Sequence, residues 1–345
     1  MVTTRNYLAI DAGGTSTRAV FLTGSGQCLG YGVSGGGNPV SRGFDGAIEA
    51  LLQASSGALG GTPQPFSSVT IGMAGASLEL ATEPFRERFA GLGLSGNVVI
   101  ESDLLATFYS GTCQDNGYAL IAGTGAVAAR ISDSRLAAVA DGTGWLLGDS
   151  GAGFWLGREV LRAVAAALDG RGRPTALLEP VLAELGISGG TQDRTNGRVR
   201  AQQQLIAKIY ALAPIELSRF APMVFDAGDD AVARDITDRA AAALAGTLTA
   251  VLDGAVDGPL VFGGSVLTRG GSVADAVVSR LSGTIQQGTR QQGASRQEGA
   301  QNLVVPILVA DGMAGAAVLA LKRAGEKVDE AVFERISASL AELRA

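Results

Sequence analysis

The sequence predicts a two-lobed α/β fold in which two mixed β-sheets, each with flanking helices, arise from a duplicated pattern. Three observations predict it. The 345 residues exceed what one ordinary hydrophobic core accommodates. A strand meander followed by alternating helices and strands occurs twice along the chain. A glycine-threonine turn between two apolar strands stands near residue 13 in the first copy and near residue 123 in the second.

The first copy opens with apolar segments joined by glycine turns, which predict a strand meander at 7–11, 17–23 and 27–33. Alternating helix and strand patterns follow as far as residue 111. They predict helices at 44–55, 77–90 and 104–111 and strands at 68–72 and 97–103.

The second copy starts at residue 118, so we place the N-terminal lobe at 1–117 and the C-terminal lobe at 118–345. Strands are predicted at 118–130 and 136–140, and helices at 154–168, 175–185, 198–211, 218–227 and 229–252. Strands at 260–265 and 302–309 then alternate with helices that end near 281, 324 and 343. Segment 282–302 is rich in Gln, Gly, Ser and Arg, which predicts a solvated loop.

Composition excludes several classes of protein. The chain has no histidine and three lysines, so histidine-based catalysis and a GxxxxGK[ST] phosphate loop are both ruled out. The net charge of −6 argues against nucleic acid or an anionic membrane as partner. Cys28 and Cys113 are far apart, which predicts two buried free thiols in a reducing compartment. No run of 18 apolar residues occurs, and we expect a cytoplasmic protein.

The two glycine-threonine turns predict anion binding. In residues 11–15 and again in 122–125, small residues let backbone N–H groups approach an anion, and a threonine adds a hydroxyl. Two such turns in one chain suggest two half-sites that close on one polyphosphate. The chain is therefore expected to be a nucleotide-using enzyme.

These motifs resemble the sugar kinase/Hsp70/actin superfamily and, within it, the BadF/BadG/BcrA/BcrD ATPase family, which includes eukaryotic-type N-acetylglucosamine kinase. The resemblance spans nearly the whole chain and implies an actin-like ATPase (ribonuclease H-like) fold. The matching motifs, in order, are Asp11-Ala-Gly-Gly-Thr15, Gly72-Met-Ala-Gly75, Ile100-Glu-Ser-Asp103, Ala122-Gly-Thr-Gly125, Gly144-Trp-Leu-Leu-Gly148-Asp149, the segment 220–229, and Val261-Phe-Gly-Gly264-Ser265.

The resemblance implies a kinase that uses ATP and Mg²⁺ to phosphorylate the 6-hydroxyl of an amino sugar. Asp11 would hold Mg²⁺, and Asp103 would bind the sugar and act as general base. The remaining roles are distributed as follows: Gly13, Gly14, Thr15, Gly123, Thr124 and Gly125 at the phosphates; Gly228, Gly264 and Ser265 at the adenosine; Asn38, Gly142 and Asp149 at the sugar.

Several of these residues also have a structural interpretation. Asp11, Asn38 and both threonines could serve only their turns. Asp103 could cap a helix that begins at 104, Asp149 could cap the helix near 154, and the glycines could be ordinary helix or strand ends. Arg18 could assist at the phosphates, although we expect it to point to solvent.

The chain departs from the family pattern at 141–144 and at 150, which leaves the sugar open among N-acetylglucosamine, glucosamine, N-acetylmuramic acid and a neutral hexose. Alternatives to a kinase are an ATPase that drives electron transfer to a dehydratase and a non-enzymatic sugar-sensing regulator. The first would need cysteines for an iron–sulfur cluster, and the second usually carries a DNA-binding helix-turn-helix. A homodimer is what the family suggests.

Overall fold

The computed structural model describes residues 5–73, 81–188, 193–269, 271–291 and 305–345. The described residues form two five-stranded mixed sheets with flanking helices, which confirms the predicted fold class.

The first sheet contains β1 (Asn6–Ala12), β2 (Ser16–Thr23), β3 (Cys28–Gly35), β4 (Phe66–Met73) and β5 (Leu94–Ser102). Its strand order is β3-β2-β1-β4-β5. The meander β1-β2-β3 is antiparallel, whereas β1, β4 and β5 run parallel. Residues 7–12 of β1 are buried, as expected of a central strand that is covered on both faces.

The second sheet repeats this topology. It contains β6 (Gly117–Ala122), β7 (Ala126–Ser132) and β8 (Arg135–Asp141), and a two-residue pair, β9 (Arg194–Thr195) with β10 (Arg198–Val199), lies outside it. Strands β11 (Leu260–Gly263) and β12 (Ile307–Val309) complete the order β12-β11-β6-β7-β8. Again the first strand of the meander is central, and the two later strands run parallel to it. The predicted duplication is therefore present in the strand order.

Helices cover both sheets. They are α1 (Pro39–Ala58), α2 (Glu83–Ala90), α3 (Asp103–Gly111), α4 (Gly153–Asp169), α5 (Leu178–Glu184), α6 (Arg200–Tyr210), a 3₁₀ helix (Pro214–Phe220), α7 (Met223–Asp226), α8 (Ala231–Thr249), α9 (Ser265–Thr268), α10 (Ser272–Gln291), α11 (Met313–Arg323) and α12 (Glu330–Arg344). None of the helices in the described ranges is long and apolar enough to span a bilayer.

One hydrophobic core is shared by the two sheets. It joins Ala9 of β1 to Ala119 of β6 and Val261 of β11 through side chains of α3 and α11. Helix α12 packs on β3, where the buried Cys28 donates its backbone N–H to Ser339 Oγ at 3.0 Å. The last two helices thus contact the first sheet although they follow the second sheet in sequence. The division at residue 117 stays a prediction.

Several predicted elements differ in the structure. Residues 282–291 are helical in α10, so the prediction of a loop there is wrong, and 292–302 lie outside the described residues. The helix predicted at 218–227 is broken into the 3₁₀ helix and α7, which begins after Pro222. Cys113 is half-buried rather than buried, with its Sγ 3.2 Å from Glu330 Oε2. The lobe-linking motif is described only at Gly72 and Met73.

Candidate active site

The carboxyl ends of β1, β4 and β5 bring two of the predicted aspartates to one edge of the first sheet. Asp11 lies opposite Gly72 of β4, and Gly72 lies opposite Glu101 of β5, two residues before Asp103. Ligands of open α/β sheets bind outside the carboxyl ends of the strands. The edge is therefore a candidate catalytic position.

Asp103 is the first residue of α3 and not its N-cap, so the alternative prediction that Asp103 caps this helix is wrong. Ser102 is the N-cap, and its Oγ accepts a hydrogen bond from the N–H of Leu104 at 3.2 Å. The Asp103 carboxylate lies 3.4 Å from the same hydroxyl, and burial raises its pKa above the ordinary value. A carboxylate with a raised pKa is better suited to accept a proton near neutral pH.

Asp11 is buried, with 8% of its surface exposed, and its Oδ2 accepts a hydrogen bond from the N–H of Gly312 at 3.1 Å. Burial, then the negative charge of Asp311, and to a smaller extent that of Asp103, raise its pKa to about 7, while Arg18 and the Gly312 N–H oppose the rise. The surroundings of Asp11 thus carry an excess of negative charge.

Arg18 does not point to solvent, so that expectation is wrong. It is the cross-strand neighbour of Asp11 in the β1–β2 pair. Its guanidinium lies 3.8 Å from Asp11 Oδ2 and 3.5 Å from Asp311 Oδ2. The side chain is 29% exposed, so the cation is held between two carboxylates at the edge of the site.

Asp311 and Gly312 are site residues that the sequence analysis missed. Asp311 Oδ1 accepts the N–H of Met313 at 3.0 Å and pairs with Arg344 at 3.1 Å. A Cβ on Gly312 would lie 2.7 Å from Asp11 Oδ1, so only glycine permits this approach. A sequence signal for these two residues was present, because an Asp-Gly pair directly follows the last strand and precedes a helix.

Each glycine-threonine turn is closed by one backbone hydrogen bond, which spans three residues in the first turn and two in the second. The N–H of Gly13 donates to Ser16 O at 3.0 Å, and the N–H of Gly123 donates to Gly125 O at 2.9 Å. In each turn the next two amides, 14–15 and 124–125, donate to no acceptor within the described part of the chain. Both threonines are exposed. Successive free amides in a tight turn form an anion-binding concavity.

The loop that carries Asn38 packs on the first turn. The N–H of Gly37 donates to Gly13 O at 3.0 Å, and a Cβ on Gly36 would lie 2.9 Å from the carbonyl carbon of Gly14. Asn38 is half-buried and directly precedes α1. The structure therefore places Asn38 beside the first turn, and its role at the sugar stays a prediction.

Asp149 and Gly142 adjoin the second turn. Asp149 Oδ1 accepts the N–H of Ala126 at 2.9 Å, and the N–H of Gly142 donates to Ala126 O at 2.9 Å. Burial raises the pKa of Asp149, and the charge of Asp141 adds to that rise, while the Ala126 N–H opposes it. Ala152, not Asp149, is the N-cap of α4, so the predicted capping alternative is wrong. Contact of either residue with a sugar stays a prediction.

Of the residues predicted at the adenosine, Gly264 and Ser265 lie at the start of α9, whereas Gly228 follows α7. Gly264 has a φ of 87°, and a Cβ there would lie 2.7 Å from the Gly123 nitrogen. Ser265 is the first residue of α9, whose C-cap is Arg269. Gly228 and Arg269 line a cavity of about 370 Å³ together with Arg234. The cavity thus lies at the end of the helix that starts beside the second turn.

Known proteins resemble the chain over most of its length. The N-acetyl-D-glucosamine kinase of Dictyostelium discoideum is 26% identical over 299 residues, which are 80% of this chain and 89% of that protein. A glucosamine kinase of Vibrio cholerae is 26% identical over 181 residues, 51% of this chain and 60% of that protein.

Among solved structures, a candidate N-acetylglucosamine kinase from Chromobacterium violaceum superimposes with a TM-score of 0.67 at 21% identity. The match covers 92% of this chain and 99% of that one and concerns the fold. The sequence model of the BadF/BadG/BcrA/BcrD ATPase family matches residues 8–320. The predicted family is thereby confirmed, and the chain belongs to the BadF/BadG/BcrA/BcrD ATPase family.

Proposed function

We propose that the chain is an ATP-dependent kinase that transfers the γ-phosphate to the 6-hydroxyl of an amino sugar, with N-acetylglucosamine as the preferred acceptor. The observation that carries the proposal is the meeting of Asp11 and Asp103 at one sheet edge, close enough for the charge of Asp103 to raise the pKa of Asp11. The names of the relatives, both amino sugar kinases, support the same conclusion.

Asp103 acts as the general base. A sugar hydroxyl is a weak nucleophile, and a carboxylate within hydrogen-bond reach orients it and takes its proton as the new P–O bond forms. The position of Asp103 as the first residue of α3, beside the capping hydroxyl of Ser102, places the carboxylate at the sheet edge. The raised pKa of Asp103 brings its affinity for a proton closer to what the transfer requires.

The phosphates are bound by the two turns. The free amides at 14–15 and 124–125, with the hydroxyls of Thr15 and Thr124, donate to phosphate oxygens. All three lysines lie outside both turns, so the amides and hydroxyls take a large share of the phosphate binding.

Asp11 is the residue that would hold Mg²⁺. Within the described ranges, no three His, Cys, Asp or Glu side chains form a cluster that could hold a metal by themselves. Mg²⁺ needs only one or two carboxylates when phosphate oxygens complete its shell, and the negative charge around Asp11 favours a cation. When bound, the ion would neutralise charge that develops on the transferring phosphoryl group.

The remaining contacts are assigned by position. Gly264 and Ser265 border the second turn, and Gly228 lines the cavity at the end of α9, so these residues would receive the ribose and the base. Asn38, beside the first turn, and Gly142 and Asp149, beside the second, would contact the sugar. A homodimer and a cytoplasmic location stay predictions, of which sedimentation velocity checks the first.

A coupled ADP-release assay tests the function. Purified protein with ATP and Mg²⁺ is offered N-acetylglucosamine, glucosamine, N-acetylmuramic acid and glucose in parallel. We expect sugar-dependent ADP release, fastest with N-acetylglucosamine, and a 6-phosphate product by ³¹P NMR. ADP release that no sugar stimulates would contradict the proposal, and a preference for glucosamine or N-acetylmuramic acid would reassign the substrate.

A further inference from the structure

The second glycine-threonine turn, residues 123–125, is held in place by a single buried side chain. Asp149 is 8% exposed, and its Oδ1 accepts the N–H of Ala126, the residue with which β7 leaves the turn. A Cβ on Gly125 would lie 2.8 Å from the same oxygen, so the carboxylate lies directly against the turn. The Asp149 carboxylate therefore helps to fix where the end of the turn lies.

Asp149 is itself held in an unusual conformation. Its N–H donates to Asp141 Oδ1 at 2.9 Å, and both aspartates have positive φ, 57° for Asp149 and 64° for Asp141. Non-glycine residues in this region carry strain and persist only where surrounding contacts fix them. Here the two side chains provide those contacts, one to Ala126 and one to Asp149.

The following backbone binds the other face of the turn. The N–H of Gly153 donates to Gly123 O at 2.7 Å, and that of Phe154 donates to Thr124 O at 3.1 Å. In a planar trans peptide the N–H points opposite to the C=O of the same unit. Because both carbonyls are bound on one side, the amides of Thr124 and Gly125 are presented on the opposite side, where an anion can reach them.

We propose that Asp149 is a positioning residue for the second turn, so that the 141–149 loop sets the affinity for the nucleotide phosphates. The proposal deepens the proposed function and rests on it in one respect, that the anion is the polyphosphate of ATP. The same loop contains Gly142 and the 40%-exposed Trp145. A ligand that contacts this loop would therefore act on the two phosphate-binding amides through Asp149.

Glycine and asparagine variants separate the side chain from the backbone strain. Asp149→Gly removes the acceptor but adopts positive φ freely, whereas Asp149→Asn keeps an oxygen that can accept the Ala126 N–H. Asp141→Gly removes the support of Asp149. Asp133→Gly is the matched control, because Asp133 also has positive φ, at 50°, and is an exposed turn residue between β7 and β8. Circular dichroism establishes that each variant is folded.

The measurement is the Kd for ADP without sugar by isothermal titration calorimetry. We expect Asp149→Gly to raise the Kd for ADP about tenfold or more and Asp141→Gly to raise it less. Asp149→Asn and Asp133→Gly should leave the Kd for ADP within about twofold of wild type.

An unchanged Kd for ADP in Asp149→Gly would overturn the proposal. A Kd for ADP that rises as much in Asp149→Asn as in Asp149→Gly would also overturn it, since the amide oxygen can still accept the Ala126 N–H. If Asp149→Gly does not fold, the Kd for ADP of Asp141→Gly is the test, and an unchanged Kd would overturn the proposal. The ADP titration needs no sugar and no turnover, so a protein that fails to phosphorylate amino sugars still gives a clear answer here.

Discussion

Gly315 lies where α11 crosses α3, and the crossing leaves no room for a side chain. A Cβ there would lie 2.5 Å from the Ser110 nitrogen and 2.8 Å from the carbonyl carbon of Ala106, and closer still to that carbonyl oxygen. Ordinary contacts begin at 3.4 Å, so the helices would have to separate by at least 0.9 Å. The obstacle is backbone, which no rotamer change can relieve.

The expected cost of Gly315→Ala follows from two opposing terms. Overpacking a tight core contact costs about 1–3 kcal/mol, and a backbone clash belongs at the upper end. Alanine is favoured over glycine inside a helix by about 1 kcal/mol, which offsets part of the cost. The net loss in free energy of unfolding is about 2 kcal/mol. Separation of α11 from α3 would also displace the starts of these helices, where Gly312 and Asp103 lie.

Gly246→Ala is the matched control. Gly246 is an exposed residue inside α8, and a Cβ there would meet no heavy atom within 4 Å. The substitution should therefore stabilise by up to about 1 kcal/mol. Urea denaturation followed by circular dichroism should separate the two variants by about 3 kcal/mol, with Gly315→Ala also losing turnover. A Gly315→Ala protein as stable as Gly246→Ala would contradict the predicted clash between α11 and α3.

Three further predictions concern the site. Because burial raises the pKa of Asp11 to about 7 from 3.8, the stability gained by protonating it is present below pH 3.8 and lost as pH rises through about 7. Asp11→Asn should therefore raise the Tm of the nucleotide-free protein at pH 8 and flatten its pH dependence, and parallel pH profiles would contradict this. Ser102→Ala should cost about 1 kcal/mol in urea denaturation through loss of the α3 cap, with Ser102→Thr restoring most of it; no loss would argue against the cap. Gly125→Ala should raise the Kd for ADP about tenfold by calorimetry, because its Cβ would collide with Asp149; an unchanged Kd would show that the turn tolerates the methyl group.

Local patterns were sufficient to predict the two turns and the positions of Asp11 and Asp103. Each turn is bounded by apolar strands that are adjacent in sequence, and each aspartate lies at or directly after the carboxyl end of a strand, so short-range signals located them. The duplication of the strand meander then predicted both sheets. Such features are encoded within about ten residues, where periodicity and turn chemistry are informative.

The features that were missed depend on contacts between distant segments. Gly312 reaches Asp11 across 301 positions because α11 returns to the first sheet, and nothing near residue 312 encodes that packing. Arg18 was expected in solvent, whereas it pairs with Asp311, which follows the last strand and is distant in sequence. The hydrogen bond from the Ala126 N–H to Asp149 depends on positive φ values of Asp141 and Asp149, which the sequence does not reveal. The helical 282–291 segment was hidden by its polar composition.

The role of Asp103 as acceptor of the sugar hydroxyl's proton can be measured through the kcat of Asp103→Asn with N-acetylglucosamine. The amide keeps the size of the carboxylate and removes its basicity. We expect kcat to fall by about 10²–10⁴-fold while the Kd for ADP stays within about twofold of wild type. A variant that folds, binds ADP and retains wild-type kcat would contradict it.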